Sequence, residues 1–129
     1  MKNTLLNLLI KSVGKQAFKK LFKGSDQPME QQHKFLMGLM KRNSNTAYGL
    51  KHNFKDIHCI ADFQSNVPVV EYSQLKEHVN EHVEGQGNAL ISGQPVHFAT
   101  TSGSTGEPKF IPISERTFKF EKLFAKVCI

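Results

Sequence analysis

Residues 100–109 read Thr-Thr-Ser-Gly-Ser-Thr-Gly-Glu-Pro-Lys, and the segments on either side alternate in the manner of strands. Val96-His97-Phe98-Ala99-Thr100 leads in, and Lys109-Phe110-Ile111-Pro112-Ile113 leads out. Pro108 disfavours helix at the loop's exit. The pattern predicts two strands joined by a loop. The loop's chemistry is equally constrained. Glycine lets backbone N–H groups approach a ligand closely, and successive inward N–H groups form an anion-binding concavity. Hydroxyls add donors, and a lysine adds a mobile point charge suited to phosphate. The run has the makings of a polyphosphate cradle.

Spacing separates it from the two commonest nucleotide loops. A Walker A loop needs four residues between its glycines, then Lys-Ser/Thr and a helix. Here Gly103 and Gly106 are too close, and Phe110 follows Lys109. The Gly-x-Gly-x-x-Gly pattern of dinucleotide folds is absent. On spacing alone, a hairpin connection without a ligand accounts for the run as well as a phosphate cradle does.

The rest of the chain reads mostly as helix. Residues 3–23 place Leu5, Leu9, Val13, Ala17 and Leu21 four apart, widened by Leu6, Ile10, Phe18 and Phe22. Lys11, Lys15 and Lys19 form a ridge of their own. Such a helix either packs on its own protein with a solvated lysine face or lies on an anionic membrane surface; the former is expected. Gly24 can end it. A second helix spans 29–42, with Pro28 in its first turn and its methionines filling core. Residues 43–46 are a polar break, and residues 57–63 form a short helix or turn. Residues 67–72 read as extended, and Ser73 is expected to cap a helix over 74–84 that Gly85 stops. After the loop, Ser114 can cap a last helix with Phe120, Leu123, Phe124, Val127 and Cys128 on one face.

Composition narrows the function classes. At 129 residues the chain has one domain's length, with 39% hydrophobic residues and a net charge of +6. Basic residues are not interleaved with stacking aromatics, which argues against nucleic acid. Cys59 and Cys128 are too few for a disulfide scaffold and read as reduced thiols in a cytoplasmic protein. No apolar run reaches transmembrane length. His78 and His82 lie at a chelating i, i+4 spacing, but no third ligand is evident, so no metal site is expected and both are read as exposed helix histidines. His58 and His97 border apolar residues and read as structural. Cys59 beside His58 is discounted as a nucleophile, and Asp56, Asp62 and Glu71 offer no paired-carboxylate logic.

The whole run Thr101-Ser102-Gly103-Ser104-Thr105-Gly106-Glu107-Pro108-Lys109 resembles the phosphate-loop signature of the adenylate-forming superfamily, which includes acyl-CoA synthetases, luciferases and peptide-synthetase adenylation domains. It departs at none of the small, hydroxyl or lysine positions. Upstream lie Asn43-x-x-Thr46-x-Tyr48-Gly49, Phe54-x-x-Ile57, Asp62-Phe63, Val67-Pro68-Val69, Glu71-Tyr72, Gly93-x-Pro95 and Phe98. Their order and spacing, over about residues 16–113, resemble the amino-terminal portion of the acyl-acid amido synthetase family. That family is best known from auxin-responsive plant enzymes, and the likeness is strongest to its bacterial branch. Plant loops are closer to Ser-Ser-Gly-Thr-Ser-x-Gly-Glu-x-Lys; this loop is nearer the general superfamily form.

The resemblance implies an α/β fold: amino-terminal helices over 1–65, then helix and strand with the phosphate loop over 66–129, opening the mixed sheet of a large adenylate-forming domain. It implies a ligase that uses ATP and Mg to adenylate a small carboxylic acid and passes the acyl group to an amino acid. Thr101, Ser102, Gly103, Ser104, Thr105 and Gly106 would wrap the β- and γ-phosphates, and Lys109 would neutralise departing pyrophosphate. Glu107 is expected to face solvent. Adenine, ribose and acyl sites in such enzymes lie downstream, so the chain is expected to be a fragment, inactive alone, with the last helix and both strand edges unpaired. An acyl-CoA or acyl-protein synthetase, or a nucleotide-binding remnant without turnover, remain the alternatives.

Overall fold

In the computed structural model, residues 2–102 and 106–127 are described. Among these residues, six α-helices and one two-stranded sheet run in the order α1 (Lys2–Leu21), α2 (Pro28–Asn43), α3 (Ala47–Lys51), α4 (Ile60–Asn66), α5 (Tyr72–Val83), β1 (His97–Thr100), β2 (Phe110–Ile113) and α6 (Glu115–Ala125). A 3-10 turn, Phe54–Asp56, lies between α3 and α4. The chain divides into two compact units. One joins α1 and α6; the other carries α2 through β2.

In the first unit, α1 packs against α6. Ala17 is buried, and a Cβ on Gly14 would lie 3.8 Å from the Lys126 carbonyl oxygen. Much of the described apolar stripe is exposed, including Leu6, Leu9, Val13 and Phe18, while Leu21 is half-buried. Among the described residues, the burial of α1 is greatest at Ala17. Phe120 and Phe124 of α6 are exposed as well, while Cys128 lies outside the described residues.

The second unit is built around Met40, Phe54 and Ile57, with Leu36, Met37, Leu39, Tyr48, Phe63 and Val67 packed against them. Met37 and Met40 fill core as read, whereas Met29 is exposed. The turn from α2 to α3 explains the Asn-x-x-Thr-x-Tyr-Gly pattern. Thr46 caps α3: its hydroxyl accepts the Gly49 N–H at 2.9 Å and donates to the Asn43 carbonyl at 2.8 Å. Gly49 abuts that same carbonyl so closely that a Cβ would clash with it. Asn43 reaches on, accepting the Ser92 N–H at 3.0 Å. Ala47 and Tyr48 donate their N–H groups to the carbonyls of Asn88 and Ala89. Residues 88–92 are therefore stitched to the helical core just before β1 starts.

Several boundaries differ from the sequence expectation. The short helix near residue 60 begins after Cys59, whose backbone N–H donates to Asp62 at 3.0 Å in a capping box. The fifth helix starts at Tyr72, not after Ser73; Glu71 caps it, its N–H donating to Gln74 Oε1 at 2.9 Å. A Gln three residues after the cap satisfies the first turn better than a lone serine does. Gly85, at φ +84°, follows its end as expected. Val67 and Glu71 are extended as expected, while Tyr72 already belongs to α5.

β1 and β2 pair antiparallel, with His97 opposite Ile113 and Thr100 opposite Phe110. The hairpin around the loop is as expected, and among the described residues it is the whole sheet.

Candidate functional site

The loop springs from the closed end of the hairpin. Thr101 N–H donates to the Lys109 carbonyl at 3.1 Å, and Lys109 N–H donates to the Thr101 hydroxyl at 3.2 Å. These two bonds extend the ladder past the strand ends and fix the width of the loop's mouth. Thr101 thus serves as the gatepost of the loop. Ser102 and Gly106 are exposed beyond it, and Gly103, Ser104 and Thr105 lie outside the described residues.

The exit arm faces the start of α5. A concavity of about 460 Å³ is lined by Glu71, Tyr72, Ser73 and Lys76 from one side and by Glu107, Pro108 and Lys109 from the other. The Lys109 ammonium lies 5.6 Å from the centre of the Tyr72 ring, within cation–π range. Lys76 pairs with Glu107 at 2.8 Å. That hydrogen bond holds the Glu107 carboxyl below, and the Lys76 ammonium above, their ordinary ranges. Glu107 is exposed as expected, but its carboxylate is engaged. The expected open edge of β2 is also filled at one point: the Tyr72 hydroxyl accepts the Phe110 N–H at 3.0 Å and donates to the Phe110 carbonyl at 3.3 Å.

Tyr72, Ser73 and Lys76 are not among the site residues expected from the sequence. The helical spacing of Tyr72 and Lys76 shows that they share a face. Nothing local shows that this face meets residues 107–110, more than 30 positions away.

The histidines of α5 do not stand in solvent. His82 is buried, and its Nε2 accepts the N–H groups of Leu90 at 3.0 Å and Ile91 at 3.2 Å. His78 is partly buried, 3.4 Å from Glu81, with the Tyr48 ring edge-on at 6.0 Å. Both share a helix face with Leu75 and Val79, a signal present in the sequence. They hold structure, and no metal-ligand cluster of three or more His, Cys, Asp or Glu side chains occurs among the described residues. His58 and His97, expected to be structural, are exposed. Cys59 spends its sulfur on the α4 cap, accepting the Asp62 N–H at 3.5 Å. The N–H groups of His58 and Cys59 converge on the Asp62 carboxylate, and the His58 bond is the main cause that lowers its pKa. This cluster is a helix cap.

Comparison with known proteins gives a consistent picture. The family described as the GH3 family N-terminal domain matches residues 17–128. Indole-3-acetic acid-amido synthetase GH3.2 of Arabidopsis thaliana is 36% identical over 90 residues, covering 68% of this chain and 16% of that protein. Indole-3-acetic acid-amido synthetase GH3.4 of the same plant is 32% identical over 102 residues, covering 78% of this chain and 17% of that protein. A probable indole-3-acetic acid-amido synthetase GH3.2 of Oryza sativa subsp. japonica is 31% identical over 86 residues, covering 65% and 14%. The chain spans about one sixth of the length of the first two relatives.

Proposed function

The chain belongs to the GH3 family through its N-terminal domain, and from that premise we propose that it supplies the polyphosphate-binding part of an ATP-dependent acid–amino acid ligase. In this reading the acid's carboxylate oxygen attacks the α-phosphorus of ATP. The bond from that phosphorus to the bridging oxygen breaks, and pyrophosphate departs. The amine of an amino acid then attacks the acyl carbon, displaces AMP and loses a proton. In-line attack at phosphorus needs positioning and charge stabilisation more than it needs a protein nucleophile. Residues 101–106 and Lys109 hold the β- and γ-phosphates, the leaving group of the first step. Mg²⁺ bound with ATP would neutralise phosphate charge, a role that takes few protein ligands.

The observation that carries this reading is the concavity at the loop's exit, where the Lys109 ammonium lies against Tyr72 beside the Lys76–Glu107 pair. A lysine so placed suits a polyphosphate. The residues that activate the acid and amine belong, in this reading, outside residues 17–128, so the chain alone does not turn over. A free Cys59 and the use of ATP fit the cytoplasm. No described helix is long and apolar enough to cross a membrane.

Calorimetric titration with pyrophosphate and with Mg·ATP tests the proposal. Both ligands should bind, and Lys109→Met should weaken pyrophosphate by about tenfold, the scale of one charge-assisted contact. A chain that binds neither ligand would refute the reading.

A further inference from the structure

We infer that Tyr72 is a positioning residue for Lys109, and that the face of α5 bearing Tyr72 and Lys76 sets where the loop's exit arm lies. The inference rests on the polyphosphate reading above and extends it to residues outside the loop.

Three contacts converge on four consecutive loop-exit residues. At Phe110, the Tyr72 hydroxyl both accepts from the backbone N–H and donates to the carbonyl. One hydroxyl thereby takes the place of a neighbouring strand at that point of β2. At Lys109, the ammonium lies against the Tyr72 ring, 5.6 Å from its centre. At Glu107, one helical turn along α5, Lys76 pairs with the carboxylate at 2.8 Å. The same helix is anchored in the core farther on, where Val79 and His82 are each 2% exposed. α5 therefore links a fixed point in the core to Glu107 and Phe110 on either side of Lys109.

This arrangement has a consequence for binding. A lysine on a free loop loses conformational freedom when it meets phosphate, and that loss weakens affinity. Fixing Phe110 and Glu107 removes part of the loss in advance. The Tyr72 ring also favours an extended ammonium over the concavity rather than one directed to solvent. Tyr72 acts on the ligand through Lys109, so its effect should vanish when Lys109 no longer carries charge.

Tyr72→Phe keeps the ring and removes the clamp. Pyrophosphate titration of the 129-residue chain should show about five- to tenfold weaker binding for this variant, the scale of one or two hydrogen bonds. Lys109→Met should weaken binding, and the double variant should match Lys109→Met alone, a non-additivity that loss of fold would not produce. Lys76→Glu should also weaken binding, and Lys76→Glu with Glu107→Lys should recover most of it by restoring the pair; this series stands if Tyr72→Phe fails to fold. Wild-type-like binding by Tyr72→Phe, or additive losses with Lys109→Met, would overturn the inference while leaving the polyphosphate reading intact. Absence of binding by the unaltered chain would overturn both.

Discussion

His82 Nε2 accepts the backbone N–H of Leu90 at 3.0 Å, binding the last turn of α5 to the segment that leads into the hairpin. The Ile91 N–H converges on the same nitrogen at 3.2 Å. A nitrogen that accepts two donors carries no proton, so the buried ring is neutral with its proton on Nδ1. Burial pushes its pKa below the ordinary 6.5; His78 adds to the shift and Glu81 opposes it.

The sign of the pH effect follows. Below about pH 6.5 the unfolded chain protonates His82 while the folded chain resists, so the unfolded state binds more protons. This contribution to stability is present above that pH and is lost as pH falls through the depressed folded value. Thermal melting should show a lower Tm at pH 5.5 than at 7.5. The difference should shrink in His82→Gln, whose amide oxygen accepts without titrating in this range. His82→Ala leaves two N–H groups without an acceptor and should cost about 2–3 kcal/mol at neutral pH.

Gly49→Ala should be destabilising although alanine favours helix. The new methyl would strike the Asn43 backbone carbonyl, which cannot move without displacing the end of α2 and the Thr46 cap. A cost of about 2–3 kcal/mol is expected, the range of overpacking against a rigid neighbour. Urea denaturation measures it, and an unchanged midpoint would contradict the close approach.

Thr46 is 1% exposed, and both hydrogen bonds of its hydroxyl are internal. Thr46→Val keeps the shape and removes the bonds, and should cost about 1–2 kcal/mol. Thr46→Ser should retain most of the stability. Chemical denaturation of the pair separates the cap from the packing.

Gly106 presents the opposite case to Gly49. A Cβ there meets no atom within 4 Å among the described residues, and its φ lies outside the region that L side chains avoid. Gly106→Ala should therefore leave stability within about 0.5 kcal/mol. If the loop's backbone approaches phosphate, the same change should weaken pyrophosphate binding about tenfold. Equal affinity in both proteins would mean that the glycine serves no ligand.

The legible part of the fold follows from local rules. Alternation around residues 96–113 correctly predicts the hairpin, because a strand's side chains alternate faces with a period of two. The Gly24 and Gly85 stops follow from the conformations open to glycine, and both residues adopt positive φ. The α5 cap is ambiguous in sequence because Ser73 and the Glu71–Gln74 pair both satisfy capping rules; only the backbone path chooses between them. The inward turn of His78 and His82 was readable from their spacing with Leu75 and Val79, but polarity argued the other way. Two N–H donors from residues 90 and 91 resolve that conflict, and they come from outside the helix.

Sequence alone determined that two strands would carry a glycine- and hydroxyl-rich loop ending in lysine. Period, proline and glycine act over a few residues, and their effects are felt before any tertiary contact forms. Tertiary structure alone decided what stands beside that loop. The Tyr72 clamp on Phe110 spans 38 positions, the Lys76–Glu107 pair 31, and the Asn43–Ser92 bond 49. Such contacts depend on how helices pack around Met40, Phe54 and Ile57, and a periodic pattern carries no record of which faces then meet.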